Sequence, residues 1–359
     1  MNNNYSKRLT NLKSRYNPEN QVLSKAFPDL DSSKLAYTNV ADEYVRFAMS
    51  AVDEKFTKDI MQAGLNVKTH LQRSLVNVDY EFQGSVMTDT HIKANSDIDL
   101  LVISNRFYKV PSTVELNNQL QNTLLNSSQK EVVRSILNAS TFIGNSNTVL
   151  HENRLNAENT LQKQYDVCDI HKPKSIHIYN KDLRKHVDTV IACYDDDMFS
   201  IKNLRESRSR GIKIYEKNVG TGKTDHPFYT IDCINNKSAL AHGRLKKMIR
   251  FLKNFMHDSD YEYSEIKSFG VNIICYNIDV YRYASLHYVE LLFIIKEQLK
   301  KIISDVNYRT SLKSIDGSEK LFYDKYGNFY QAKFNEVKRL DAELQTLINE
   351  IYFNFKKAI

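Results

Sequence analysis

The sequence contains no tryptophan and little glycine or proline, with 10 and 5 of these residues among 359. Glycine and proline punctuate turns and break helices, so their scarcity favours long helices joined by short connections. The four cysteines form no Cys-x-x-Cys pair, which argues against a zinc site and predicts free thiols in a reducing compartment. The longest apolar stretch is too short to span a bilayer, and the amino terminus lacks an apolar signal core. We therefore expect a cytoplasmic protein without a membrane partner.

The charge of the chain is concentrated in one segment. The formal net charge is +7, and residues 201–256 hold 13 Lys and Arg against four Asp and Glu. The rest of the chain has a net charge of −2. A local basic excess suits an anionic ligand such as a nucleoside triphosphate or a nucleic acid, although a solvated basic helix face would have the same composition.

Two short stretches carry the strongest chemical pattern. Residues 78–83 read as a strand that ends at Gly84-Ser85, and residues 97–103 read as a second strand, apolar except for Asp97 and Asp99. Side chains alternate along a strand, so the two carboxylates point the same way with Cα atoms about 6.5 Å apart. Like charges this close need a counterion, and oxygen ligands favour Mg²⁺, with Mn²⁺ as a substitute.

A lone Asp-x-Asp occurs by chance in a chain of this length, but here a Gly-Ser turn precedes it. Such a turn offers backbone N–H groups and a hydroxyl to a phosphate. The combination resembles the nucleotidyltransferase superfamily that includes DNA polymerase β. The resemblance implies a third carboxylate from a later strand, and Asp188 is our choice, because an acid inside an apolar strand needs a partner or a metal. Asp166 and Asp169 compete for this role.

A basic helix follows in the second half of the chain. Lys246, Arg250 and Lys253 recur at helical spacing on one side, and a cationic row of this kind can reach a bound triphosphate. Ser268 lies in the first turn of a further helix, where the helix dipole favours anions. We expect that helix to continue from residue 271 to about residue 303. Residues 220–224 read Gly-Thr-Gly-Lys-Thr without the spacing of a phosphate-binding loop, and a turn between strands at 212–215 and 228–231 accounts for their glycines.

Long helices are predicted on both sides of these motifs in the sequence. Residues 35–76 predict one long amphipathic helix, and residues 331–358 predict another. The fold class is therefore α+β: a polymerase β-like nucleotidyltransferase core, with a mixed sheet, flanking helices and an amino-terminal spine helix, joined to a helical carboxyl-terminal domain in a bilobal arrangement. We expect the core to span residues 1–205 and the second domain, closing the nucleotide cleft, to span residues 206–359.

Taken together, these sequence motifs resemble those of one branch of the superfamily, the bacterial enzymes similar to cyclic GMP-AMP synthase and DncV, called CD-NTases. The matching stretches are Gly84-Ser85, residues 96–100, residues 186–190, residues 243–253 and residues 266–269. The resemblance implies an enzyme that joins nucleoside triphosphates into a cyclic di- or trinucleotide and releases pyrophosphate. In anti-phage systems such a product activates a separate effector. No DNA activator is expected, because the vertebrate zinc insertion is absent.

The resemblance also implies the roles of individual residues. Asp97, Asp99 and Asp188 would hold two Mg²⁺ ions and carry the chemistry, while Gly84, Ser85, Lys246, Arg250 and Ser268 would bind nucleotide. Two other interpretations stay open. One is a template-independent polymerase, or a transferase that modifies RNA, protein or a small molecule. The other is a nucleotide-binding protein without turnover, which the presence of all three acids disfavours.

Overall fold

The computed structural model describes residues 5–16, 40–93, 97–140 and 142–358, with side chains for all of these except Tyr16 and residues 353–358. The helices in these ranges are α1 Tyr5–Tyr16, α2 Val40–Met49, α3 Glu54–Gln72, α4 Thr113–Leu120, α5 Ser127–Asn138, α6 Ser146–Gln164, α7 Met198–Lys202, α8 Pro227–Leu240, α9 Arg244–His257, α10 Ser268–Tyr276, α11 Glu290–Ser304, α12 Val306–Ser311 and α13 Gln331–Ala358. The strands are β1 Val78–Gln83, β2 Ile98–Lys109, β3 Cys168–Asp169, β4 Ile176–Asn180, β5 Lys185–Asp195, β6 Gly211–Glu216 and β7 Gly220–Asp225.

The chain divides into two compact units built from interleaved segments. The sheet unit comprises Lys55–Met87 and Ser96–Asp232, and the helical unit comprises Met1–Glu54, Thr88–Asn95 and Cys233–Ile359. The α+β class, with a mixed sheet and a helical carboxyl-terminal part, is confirmed. The division at residues 205 and 206 stays a prediction.

All seven strands belong to one mixed sheet. The strands follow the order β1-β2-β5-β4-β3, while β6 pairs with β5 and β7 pairs with β6. Strands β2 and β5 are parallel, and the other pairs are antiparallel. A parallel pair needs a long crossover connection, and the chain supplies it between β2 and β5 with helices α4 to α6 and the hairpin of β3 and β4.

Alternation along the central strands gives the sheet two apolar faces. Ile98, Leu100 and Val102 of β2 face a large core that also holds apolar side chains of α3 and α6. Leu101 and Ile103 face the opposite way, into a smaller core with the first turns of α8. A one-residue slip of β2 or β5 would turn Asp99 or Asp188 into the larger core, so the register of this pair is tightly specified.

The described residues of the helical unit are mainly α-helical and have their own buried core. Apolar residues of α2, α9, α10, α11 and α13 are buried along most of their length. The final helix runs over Gln331–Ala358, as the periodicity predicted. Among the described helices, none is long and apolar enough to cross a membrane. All four cysteines are free thiols, as expected.

The long helix predicted for residues 35–76 is wrong as one element. Its first residues lie outside the described ranges, and the remainder is two helices, α2 and α3, separated at residues 50–53. Helix α2 ends where α9 satisfies its last carbonyls. Arg250 Nε donates to the Met49 carbonyl at 2.9 Å, and Asn254 Nδ2 donates to the Ala48 carbonyl at 3.0 Å. These tertiary caps take the place of the missing intrahelical partners.

Two further boundaries also differ from the predictions. Residues 228–231 belong to α8, not to a strand, because Pro227 occupies the first helical position, where its fixed φ suits a helix. The partner of β6 is instead residues 220–225, so the Gly-Thr-Gly-Lys-Thr sequence is itself strand β7. The helix predicted for residues 271–303 is two helices, α10 and α11, with a 3₁₀ turn at Val280–Arg282 between them.

Candidate active site

A row of four polar side chains crosses one face of the sheet unit. Gln83 of β1 is the register partner of Asp99 of β2, Asp99 is the partner of Asp188 of β5, and Asp188 is the partner of His177 of β4. Their apolar neighbours, such as Ile98, point to the opposite face. The register of four strands therefore brings these side chains side by side, and we call them the polar row.

Three carboxylates lie close together here: those of Asp99 and Asp188 belong to the polar row, and that of Asp97 lies beside it. Asp97 immediately precedes β2 and is exposed, whereas Asp99 and Asp188 are half-buried. Burial, followed by the charges of Asp188 and Asp97, raises the pKa of the Asp99 carboxyl to about 7, although a hydrogen bond from Gln83 opposes the rise. An acid crowded in this way gains from a bound cation, because the cation removes both the repulsion and the unfavourable desolvation.

The donor set fits a divalent cation. A carboxylate oxygen of Asp97 and one of Asp188 lie within 4.8 Å of each other, and a ring nitrogen of His177 lies within the same distance of both. Carboxylate oxygens of this kind suit Mg²⁺ or Mn²⁺. Asp99 is the register partner of Asp188 and lies beside this group, so all three acids predicted from the sequence are close enough to take part in holding a cation. The two other acids considered for this site are engaged elsewhere: Asp166 pairs with Lys181 at 2.7 Å, and Asp169 accepts a backbone N–H within its own loop.

His177 is the residue of this site that the sequence reasoning missed. Its Nδ1 lies 2.9 Å from Oδ1 of Asp188, and its Nε2 lies 3.0 Å from Nδ1 of His186. The same Asp188 oxygen accepts a hydrogen bond from Ser175 Oγ at 3.2 Å and lies 3.6 Å from Lys172 Nζ. The sequence signal is limited to the alternation of His177 with the apolar residues Ile176 and Ile178, and its place beside β5 comes from the structure.

The turn after β1 places the Gly-Ser motif next to the carboxylates. Gly84 has a φ of +96°, and a Cβ built on it would lie 3.2 Å from Oδ2 of Asp99. The Met87 N–H closes the turn on the Gly84 carbonyl at 3.2 Å. Ser85 is half-buried in this turn. The positive φ favours glycine at this position, and the absence of a Cβ leaves room for the Asp99 carboxylate beside the turn.

The basic residues of α9 have different surroundings within the helical unit. Arg250 is 5% exposed, and besides the Met49 carbonyl its guanidinium contacts Asp89, through the backbone carbonyl at 2.6 Å and the carboxylate at 3.1 Å. Lys253 is 7% exposed and donates to the Thr90 carbonyl at 3.0 Å. These two side chains anchor residues 88–93. Lys246 is half-buried, and its pKa is lowered, mainly by desolvation.

Ser268 is the first residue of α10 and is exposed. The loop before it is held by Glu336 of α13, which is 2% exposed. The Glu336 carboxylate accepts the backbone N–H groups of Ser264, Glu265 and Ile266 at 2.6–3.1 Å. A buried carboxylate with several N–H donors is strongly bound to its loop, so the start of α10 has a fixed conformation within its unit.

Comparisons with known proteins agree with one another. The family model of the cGAS/DncV-like nucleotidyltransferase C-terminal helical domain matches residues 232–349. A protein of Capnocytophaga granulosa named c-di-GMP synthase is 43% identical over 357 residues, covering 96% of this chain and 99% of its own length. Another c-di-GMP synthase, from Lachnospiraceae bacterium, is 39% identical and covers 89% and 92% of the two chains. The structure of a STING-associated CdnE c-di-GMP synthase from Flavobacteriaceae sp. aligns with a TM-score of 0.85 at 32% sequence identity. The alignment covers 98% of this chain and 99% of that chain.

Proposed function

This chain belongs to the cGAS/DncV-like nucleotidyltransferase family, and we propose that it condenses two molecules of GTP into c-di-GMP. In each of two steps a ribose hydroxyl oxygen bonds to an α-phosphorus, the bond from that phosphorus to pyrophosphate breaks, and one proton leaves the hydroxyl. Two GTP therefore give one cyclic dinucleotide and two pyrophosphates. The choice of guanine is supported by relatives of that name that match nearly the full chain.

The observation that carries the proposal is that three carboxylates lie together: Asp188 of β5 is the register partner of Asp99 of β2, and it offers a ligand atom within 4.8 Å of one from Asp97, the residue just before β2. We propose that they hold two Mg²⁺ ions, with Mn²⁺ as a substitute. Bound there, the ions would neutralise triphosphate charge and lower the pKa of the attacking hydroxyl, as in other two-metal sites. Asp188 would also orient the hydroxyl and help to remove its proton.

The other predicted residues have a role in binding substrate. The Gly84-Ser85 turn would direct backbone N–H groups and a hydroxyl at the phosphates. Lys246 would supply a charge-assisted contact, and Ser268 would bind through its hydroxyl and the first turn of α10. Arg250 remains a proposed nucleotide ligand, but its present contacts support an additional role as an anchor.

We further propose that the product serves as a messenger for a separate effector in anti-phage signalling. A relative aligned over almost the whole chain is described as STING-associated, and a diffusible cyclic dinucleotide would suit an effector on another chain. The proposed partners are thus GTP and, through the product, one effector, without a DNA activator.

The test is an incubation of the purified protein with all four labelled nucleoside triphosphates, with Mg²⁺ and without an added acceptor. We expect one product that resists phosphatase and co-elutes with c-di-GMP, and two pyrophosphates per product. Asp97→Asn combined with Asp99→Asn should abolish it, whereas Asp166→Asn, a matched exposed acid, should not. Linear products of many lengths would favour a polymerase, labelling only of an added acceptor would favour another transferase, and binding without pyrophosphate release would favour a silent nucleotide-binding protein.

A further inference from the structure

One oxygen of Asp188 is surrounded by donors from the hairpin of β3 and β4. Oδ1 lies within hydrogen-bond distance of His177 Nδ1, at 2.9 Å, and of Ser175 Oγ, at 3.2 Å. Lys172 adds a positive charge at 3.6 Å. These contacts all converge on the same oxygen, and the other oxygen of this carboxylate has no contact of this kind among the described residues.

The His177 ring is itself fixed on both sides. A carboxylate accepts, so Nδ1 donates to Asp188, and in the neutral ring Nε2 then accepts from Nδ1 of His186 at 3.0 Å. The two imidazoles also stack, with ring centroids 4.9 Å apart. A ring with both nitrogens engaged has no lone pair left for a metal, so the role open to His177 is to hold its neighbour.

The loop that carries Ser175 is rigidly attached to α6. Arg154 is fully buried, and its guanidinium donates to the carbonyls of Ile170, Lys172 and Ser175 at 3.0–3.2 Å. Glu158 balances the Arg154 charge at 2.6 Å. The hydroxyl of Ser175 and the imidazole of His177 therefore approach Asp188 from a fixed frame.

We propose that His177 is a positioning residue: it fixes Oδ1 of Asp188 and thereby presents Oδ2 to the divalent cation. This proposal rests on the proposed function, because it assigns to His177 a part in the same metal site. Hydrogen bonds to a metal-ligating carboxylate restrict its rotamers and tune its basicity, and loss of such a partner lowers metal affinity about 10- to 100-fold in other proteins.

The test uses the full chain and Mn²⁺ as the probe, without nucleotide. The amide nitrogen of asparagine occupies the place of Nδ1 of histidine, whereas that of glutamine corresponds to Nε2. We expect His177→Gln to weaken Mn²⁺ binding, measured by calorimetry, at least tenfold. We expect His177→Asn to stay within about threefold of wild type, and His171→Asn, at an exposed histidine of the same loop, to have no effect.

Kinetics and spectroscopy complete the test. With GTP and Mg²⁺, His177→Gln should lower kcat and raise the Mg²⁺ concentration for half-maximal rate while the KM for GTP changes little, and thermal denaturation should show that all variants fold. Equal Mn²⁺ affinity of the Asn and Gln variants would overturn the proposal. A ¹⁴N coupling in the electron spin echo of bound Mn²⁺ that shows a nitrogen bound directly to the metal would also overturn the proposal, because His177 would then be a ligand. If the variants show the expected Mn²⁺ affinities but the wild-type protein makes no c-di-GMP, the proposed function is refuted and the positioning role of His177 is not.

Discussion

Replacing Asp99 with asparagine should stabilise the metal-free protein at alkaline pH. Asp99 lies between Gln83 and Asp188 in the polar row, and burial together with two neighbouring carboxylates raises the pKa of its carboxyl from its ordinary value of 3.8 to about 7. The folded protein therefore holds this proton more tightly than the unfolded chain does. The resulting stability is complete below the unfolded pKa and is lost as the pH rises through the folded value.

The magnitude follows from the two pKa values. Each pKa unit corresponds to about 1.4 kcal/mol, so the ionised Asp99 lowers the free energy of unfolding by up to about 4 kcal/mol at pH 8. At pH 5 the same relation gives a lowering of the free energy of unfolding of about 2 kcal/mol. Asparagine has nearly the same shape and no charge, so the variant escapes this loss. We expect a gain in Tm of about 4–8 °C over wild type at pH 8, and a smaller gain at pH 5.

The assay is thermal denaturation of wild type and Asp99→Asn in EDTA at pH 5, 6, 7 and 8, repeated at pH 8 with Mg²⁺. Added Mg²⁺ should stabilise wild type by mass action and should stabilise the variant much less. Asp166→Asn, which removes an exposed acid, serves as the control and should follow the wild-type curve. Parallel curves for wild type and Asp99→Asn in EDTA would refute the reasoning, because Asp99 would then be an ordinary solvated acid.

Three further substitutions test other parts of the structure. Gly84→Ala should destabilise the protein by about 1–2 kcal/mol, because it forces a side chain into a positive φ, and it should also lower kcat by crowding Asp99; unchanged turnover would show that the turn tolerates a Cβ. Lys246→Ala should raise the KM for GTP about 10-fold or more, as expected for loss of one charge-assisted hydrogen bond, while Lys247→Ala should leave it unchanged; equal effects would remove Lys246 from the nucleotide site. Glu336→Gln should lower the free energy of unfolding in urea by about 1–3 kcal/mol, because an amide replaces a carboxylate that accepts three successive N–H groups; an unchanged urea midpoint would contradict the importance of those bonds.

The strands of the site were predictable because their signals are local. Residues 78–83 alternate and end at a glycine, so β1 was predicted at its observed bounds, and Asp188 lies inside an apolar strand, β5, as expected. The partners across the sheet were not predictable in the same way, because register depends on which strands become neighbours. For that reason His177, whose role follows from its place opposite Asp188, was overlooked.

The elements that were predicted wrongly are those whose ends depend on distant residues. No glycine or proline marks the break after Met49, because the capping donors come from α9, about 200 residues away in sequence. In α9 itself, periodicity correctly placed Lys246, Arg250 and Lys253 on a helix. It did not reveal that Arg250 and Lys253 are occupied by residues 88–93, because that contact is tertiary.

The anchoring of residues 88–93 has a consequence for dissecting the protein. This short segment connects the Gly-Ser turn to Asp97, yet it is packed with Arg250 and Lys253 of the carboxyl-terminal half. A fragment that stops near residue 205 would keep every acid of the polar row but lose the two cations that tether the link between its first two strands. Each half produced alone should therefore be catalytically inert, and activity should return only when the two polypeptides are synthesised together and reassemble.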